Sequence, residues 1–181
     1  FYTYQVNANY LNEDITVEDI PKFWDFVNQV FKENDIPTVL SYYAYSFYPD
    51  FPIHKVLVIL GRERVGKGTN ARILQGILEK GYKPIALDRI LTADRFQFSG
   101  ILGANLLVDA EVKKNYRRGS VIDWRGFNSL FGGDEIAYEG KGKEVTGYVS
   151  KAKGIFIGNL PFFKVSNPAA IARMIVIETK D

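Results

Sequence analysis

The residues with the clearest chemical potential form one stretch, Gly61-Arg62-Glu63-Arg64-Val65-Gly66-Lys67-Gly68-Thr69-Asn70. It follows the apolar run Val56–Leu60 and opens an amphipathic segment. Glycines let backbone N–H groups turn inward around an anion, and a helix starting at the same place adds its partial positive charge. Lys67 stands where an ammonium group reaches the outer phosphates of a nucleoside triphosphate, so the stretch is predicted to cradle ATP. A glycine-rich turn carrying a solvated lysine is the plain alternative; the strand before and the helix after weigh against it. Gly68 occupies the place where a hydroxyl ordinarily meets Mg2+, which leaves Thr69, one residue later, or water to complete the metal's shell.

A phosphate loop needs carboxylates for that metal and for the attacking water. Leu106-Leu107-Val108-Asp109-Ala110-Glu111 ends an apolar run with two of them. A period of two puts Asp109 and Glu111 on one face, so one can hold Mg2+ and the other can polarise water. Which does which stays open, and an ordinary strand end is the competing reading. Gly154-Ile-Phe-Ile-Gly-Asn159-Leu-Pro161 ends a third apolar run in an amide that could orient water, although asparagine before Leu-Pro is also a common turn former.

Composition removes several other chemistries. There is no cysteine, so disulfides, thiolate zinc sites and cysteine nucleophiles are excluded, in keeping with a reducing compartment. His54 is the only histidine, which excludes a catalytic triad or a multi-histidine metal site. The net charge of +2 is too mild for a wholly basic nucleic-acid coat, so any DNA contact must be local. No apolar run is long enough to span a bilayer, and the chain reads as soluble. It opens at Phe1 without methionine and ends just after an apolar run, as expected of a piece of a larger protein.

The elements that must position these residues divide at 52/53. Residues 1–52 read as a helical segment, with Phe23, Phe26, Val27, Val30 and Phe31 on one face after Pro21, and Leu40, Tyr43, Ala44 and Phe47 as a stripe after Pro37. Residues 53–181 alternate short apolar runs with helical stretches, the pattern of an α/β fold whose parallel strands are buried. The predicted strands are Val56–Leu60, Pro84–Leu87, Leu106–Asp109, Ile155–Ile157 running on to Asn159, and Met174–Ile177. Helices are predicted at Thr69–Lys80, Asp88–Phe96 and Val121–Phe131, and an inserted β-hairpin between Asp134 and Val149 with Lys141 and Lys143 at its tip.

The order of these motifs resembles the superfamily III helicases of viruses and plasmids, in particular the poxvirus- and phage-type primase–helicase branch. The resemblance spans nearly the whole chain. It includes Gly66-Lys67-Gly68-Thr69, Gly103 to Glu111, Phe131-Gly-Gly-Asp134-Glu-Ile136 before the lysine-bearing hairpin, Gly158-Asn159-Leu-Pro161, and Ala172-Arg173-Met-Ile-Val-Ile177. What it implies is an AAA+-like P-loop NTPase with a five-stranded parallel sheet flanked by helices. It further implies ATP-driven translocation on DNA as a ring, usually a hexamer, with the sensor strand between the phosphate-loop strand and the acidic strand.

By position, Asn159 looks like the sensor, Arg173 like an arginine finger offered to a neighbouring subunit, and Lys141 and Lys143 like a pore hairpin that grips a single DNA strand. A fused primase-polymerase and a place in the host cytoplasm are implied as well. The residues alone leave alternatives: a solvated arginine at a strand start, and lysines that protect a hairpin edge. Lys151, Lys153, Lys113, Lys114, Arg117 and Arg118 are weaker DNA candidates. The sequence departs from the family at Gly68 and in having Ala110 between its acids, where many relatives have adjacent ones.

Two other functions fit part of the pattern. Gly-Lys-Gly-Thr also occurs in small nucleotide kinases, and Asp88-Arg89 and Asp94-Arg95 resemble kinase arginines, but the loop lies far from the start of the chain and no arginine-rich lid is evident. A nucleotide-gated DNA-binding assembly module with little turnover is the third reading, suggested by Gly68.

Overall fold

A computed structural model of the chain describes residues 6, 8, 14–91, 98–112, 123–138, 145–159 and 167–180. Its centre is a parallel sheet of five strands: β1 (Val56–Leu60), β2 (Tyr82–Pro84), β3 (Leu106–Asp109), β6 (Lys153–Gly158) and β7 (Met174–Glu178). They lie in the order β2-β3-β6-β1-β7. The strand ending near Asn159 therefore sits between the strand that feeds the glycine-rich loop and the strand that ends in Asp109. Strands β4 (Glu135–Tyr138) and β5 (Thr146–Val149) form a separate antiparallel pair. Their connection, which carries Lys141 and Lys143, lies outside the described residues, as do Lys113, Lys114, Arg117 and Arg118.

Both faces of the three central strands, β3, β6 and β1, are covered, which is why they read as apolar runs. Alternate residues feed two cores. Leu57, Ile59, Leu106, Val108, Ile155 and Ile157 face helices α1 (Pro21–Val30), α2 (Ile36–Phe47) and α3 (Lys67–Leu78). Val56, Val58, Leu107 and Phe156 face α4 (Leu87–Ile90) and α5 (Arg125–Leu130), where Phe127 and Phe131 pack at 5.0 Å between ring centres. Gly154 is required here, because a Cβ on it would stand 2.7 Å from the Phe131 ring. Helix α6 (Pro168–Ala172) then leads into β7.

The α/β class and the five-stranded parallel sheet are as the sequence predicts; several boundaries differ. The second strand is Tyr82–Pro84, and Leu87 opens a helix, because its N–H is taken by the Asp109 carboxylate (2.8 Å) instead of a ladder partner. Helix α3 begins at Lys67 and α5 at Arg125. The stripe of α2 is rotated relative to the expectation: Ile36, Val39, Tyr42, Tyr43 and Ser46 are buried, and Ala44 is exposed.

Candidate functional site

The loop from Gly61 to Gly66 leaves the C-terminal end of β1, the edge of a parallel sheet where ligands ordinarily bind. Two residues take left-handed backbone, Arg64 at φ 65° and Gly66 at φ 91°, and the chain enters α3 at Lys67. Gly66 meets two demands at once. Its φ disfavours a side chain, and a Cβ there would come within 2.9 Å of Val30 and 3.1 Å of Phe26. Gly61 is equally confined, since a Cβ would overlap the hydroxyl of Thr179 at the end of β7.

Lys67 curls back over its own loop. Its ammonium donates to the Gly61 carbonyl at 2.8 Å and to the Arg62 carbonyl, and it is buried. Burial lowers its pKa, opposed by the charge of Glu63. The ammonium is thus held against two carbonyls of its own loop beside the α3 N-terminus, where a charged donor can also serve phosphate oxygens.

Asn159 follows β6, and Gly61 N–H donates to the Gly158 carbonyl at 3.2 Å, which brings the amide beside the loop. The Asn159 side chain donates to Glu63 at 3.5 Å. Asp109 ends β3, next to β6, and is half-buried. Its oxygens accept from Leu87 N–H at 2.8 Å and Glu111 N–H at 3.1 Å. Burial raises its pKa, and the nearby acids Asp88 and Glu111 add to the rise while the two amides oppose it. Glu111 is exposed two residues further on, past the end of β3, and Val112 N–H donates back to β6 at the Ile157 carbonyl (2.7 Å). Lys67, Asn159, Asp109 and Glu111 therefore gather at the same edge of three adjacent strands.

The remaining candidates are placed differently. Arg62, Glu63 and Arg64 are exposed on the loop, and Val65 is half-buried. Thr69 is exposed on the first turn of α3, and Gly68 faces open space, with nothing within 4 Å of an added Cβ. Asn70 turns away from the loop's mouth: it is 1% exposed and accepts from the Tyr43 hydroxyl at 2.7 Å. Arg173 stands before β7 at the opposite edge of the sheet, where its guanidinium donates to the Ala169 carbonyl at 2.9 Å. Its Nε is buried without a hydrogen-bond partner among the described residues. Lys153, named as a weaker DNA candidate, is buried in β6 with its ammonium on the Tyr48 carbonyl and 5.2 Å from the Tyr45 ring centre, so DNA cannot reach it. Lys151 pairs with Asp50 at 3.4 Å.

Sequence reasoning placed Tyr43 in an apolar stripe and missed its hydroxyl. The available signal was the residue type: a buried tyrosine, unlike phenylalanine, must find a hydrogen-bond partner.

No protein-family model matches the chain, and no curated protein matches it in sequence. Solved structures do match in fold. The A form apo structure of the NrS-1 C-terminal region aligns at a TM-score of 0.66 and 12% identity over 86% of this chain and 36% of that one. The JCV helicase bound to a thiazolopyridine acetamide aligns at 0.57 and 19% over 80% of this chain and 40% of that one. The X-ray structure of JCV helicase aligns at 0.55 and 17% over 89% and 45%. The chain thus spans less than half the length of each of these solved chains. No helix among the described residues is long and apolar enough to cross a membrane. The chain thus has an α/β fold that the NrS-1 C-terminal region and the JCV helicase also have.

Proposed function

We propose that this domain is the ATP-hydrolysing motor of a DNA helicase in a viral or plasmid replication protein, working as a ring. The observation that carries the reading is the gathering of Lys67, Asn159, Asp109 and Glu111 at the C-terminal edge of β1, β6 and β3, on a fold shared with helicase structures. In this reading residues 53–181 form the motor and residues 1–52 an N-terminal helical segment, of which α1 and α2 pack on the sheet.

Residues 61–69 hold the triphosphate, through backbone N–H groups, the α3 N-terminus and Lys67, with Asn70 turned away from it. Lys67 already faces two carbonyls, and exchanging them for phosphate oxygens replaces neutral acceptors by charged ones, which makes its hydrogen bonds stronger. Thr69, Asp109 and Glu111 are hard oxygen donors of the kind Mg2+ takes, and there is open space at Gly68, next to Thr69. Bound Mg2+ would neutralise charge on the phosphates. The raised pKa of Asp109 fits a carboxylate waiting for a cation, and either Asp109 or Glu111 can accept a proton from water. Asn159 offers an amide to orient that water. Lys141 and Lys143 are proposed to touch the DNA backbone, and Arg173 to act on the neighbouring subunit's nucleotide. A hexamer and a fused primase-polymerase complete the reading.

The test is phosphate release from ATP with and without single-stranded DNA, for the wild type and Lys67→Ala. The motor reading expects DNA to stimulate release and Lys67→Ala to abolish it. Turnover that requires a nucleotide acceptor would point to a kinase, and binding without turnover to an assembly module.

A further inference from the structure

Three donors converge on one carbonyl of the loop. The Gly66 carbonyl accepts from Thr69 N–H at 2.9 Å, from Asn70 N–H at 3.4 Å and from the Asn70 side-chain amide at 3.3 Å. Asn70 in turn accepts from the Tyr43 hydroxyl at 2.7 Å, a buried bond that joins α2 to α3. The polarity of this relay has one consistent solution. Were the tyrosine to accept instead, the Asn70 oxygen would face the Gly66 oxygen, and two acceptors would be buried against each other.

The carbonyl so held belongs to the peptide that precedes Lys67. A peptide is planar, so fixing the Gly66 carbonyl along the helix fixes the Lys67 N–H in the opposite direction, toward the loop. Gly66 is the residue best able to let that peptide rotate, because its left-handed conformation is one that glycine alone adopts freely. Phe26 and Val30 of α1 close the remaining space around it.

We infer that Tyr43 is a positioning residue for the triphosphate: acting through Asn70, it locks the Gly66–Lys67 peptide, so the helices ahead of the loop set how tightly the loop grips phosphate. The inference rests on the nucleotide-binding reading of the loop and reassigns Asn70 from ligand contact to relay.

The experiment compares wild type, Tyr43→Phe, Asn70→Ala, the double variant and Lys67→Ala for equilibrium ATP affinity, for KM and kcat, and for thermal melting. Tyr43→Phe keeps the ring in the core and is the primary variant. It is expected to weaken ATP binding and raise KM by roughly 5- to 10-fold, the scale of one buried hydrogen bond, with kcat within about twofold of wild type. Because one relay is broken in each case, the double variant should bind ATP no more weakly than Asn70→Ala alone. A purely structural role would lower melting temperature without that non-additivity in affinity, and it would overturn the inference. Wild-type affinity in Tyr43→Phe, with loss in Lys67→Ala, would overturn the inference alone. Wild-type affinity in Lys67→Ala would overturn the nucleotide reading and the inference with it.

Discussion

Gly66 and Gly68 flank the same lysine yet answer to different constraints. Gly66 is left-handed and pressed by Phe26 and Val30, whereas Gly68 lies on the first turn of α3 with open space around it. Gly66→Ala should therefore lower stability by about 1–3 kcal/mol, and Gly68→Ala should leave it unchanged or raise it by up to about 1 kcal/mol through helix propensity. Urea unfolding checks both, and equal losses at the two positions would show that the loop's backbone is not as described. The identity of such residues is readable in sequence where the motif is local: Lys67, Asp109 and Asn159 each end or follow an apolar run. The engagement of Asn70 is not, because its partner Tyr43 lies 27 residues earlier and nothing near either residue specifies the pairing.

Strands were easier to read than helices for a physical reason. A parallel strand buried on both faces is apolar throughout, so Val56–Leu60 and Leu106–Asp109 stand out, while short helices at the sheet's ends are defined by tertiary contacts. The run ending in Leu87 is the instructive failure: it is apolar enough for a strand, but the Asp109 carboxylate takes its N–H and a helix begins. Lys153 shows the same limit, since a lysine among lysines reads as surface until β6 is seen to bury it under α2. Its ammonium meets the Tyr48 carbonyl at the end of α2, and burial lowers its pKa to about 8 from 10.5, with Asp50 opposing. Between those values the unfolded chain binds the extra proton, so stability should rise with pH above about 8. Buried Tyr42 and Tyr43, whose hydroxyls are held above the normal range, act the other way above pH 10, because unfolding lets them ionise. The informative window therefore lies above about 8 and below 10, between the folded value of Lys153 and the ordinary tyrosine value. Lys153→Met should reduce the rise, by up to about 1 kcal/mol per pH unit relative to wild type, and leave the share of Lys67, whose pKa burial also lowers. Parallel pH profiles in denaturant melts would refute this role for the lysine.

At the scale of the whole molecule, the sheet separates Arg173 from the loop. Arg173 precedes Met174, which pairs with Val56, whereas Gly61 follows Leu60 at the other end of the same strand. Five residues of strand span roughly 16 Å, beyond the reach of an arginine side chain held at Ala169. Within one subunit the guanidinium cannot meet a phosphate bound by Lys67, so a catalytic part for it requires a second copy. This dependence was legible only through the family resemblance, because a side chain that completes a neighbour's site leaves no local mark. It also yields the sharpest test of ring function. Lys67→Ala and Arg173→Ala should each be inactive alone, since an arginine supplied between subunits is worth about 10³ to 10⁵ in rate. Mixed in equal amounts, roughly a quarter of interfaces pair an intact Lys67 with an intact Arg173 from its neighbour, if subunits assemble at random into a closed ring. Phosphate release in the mixture should recover to that order, and native mass measurements would verify that mixed assemblies form. Mixed rings that stay inactive would remove Arg173 from the chemistry and leave it as the residue that ties α6 to the edge of the sheet.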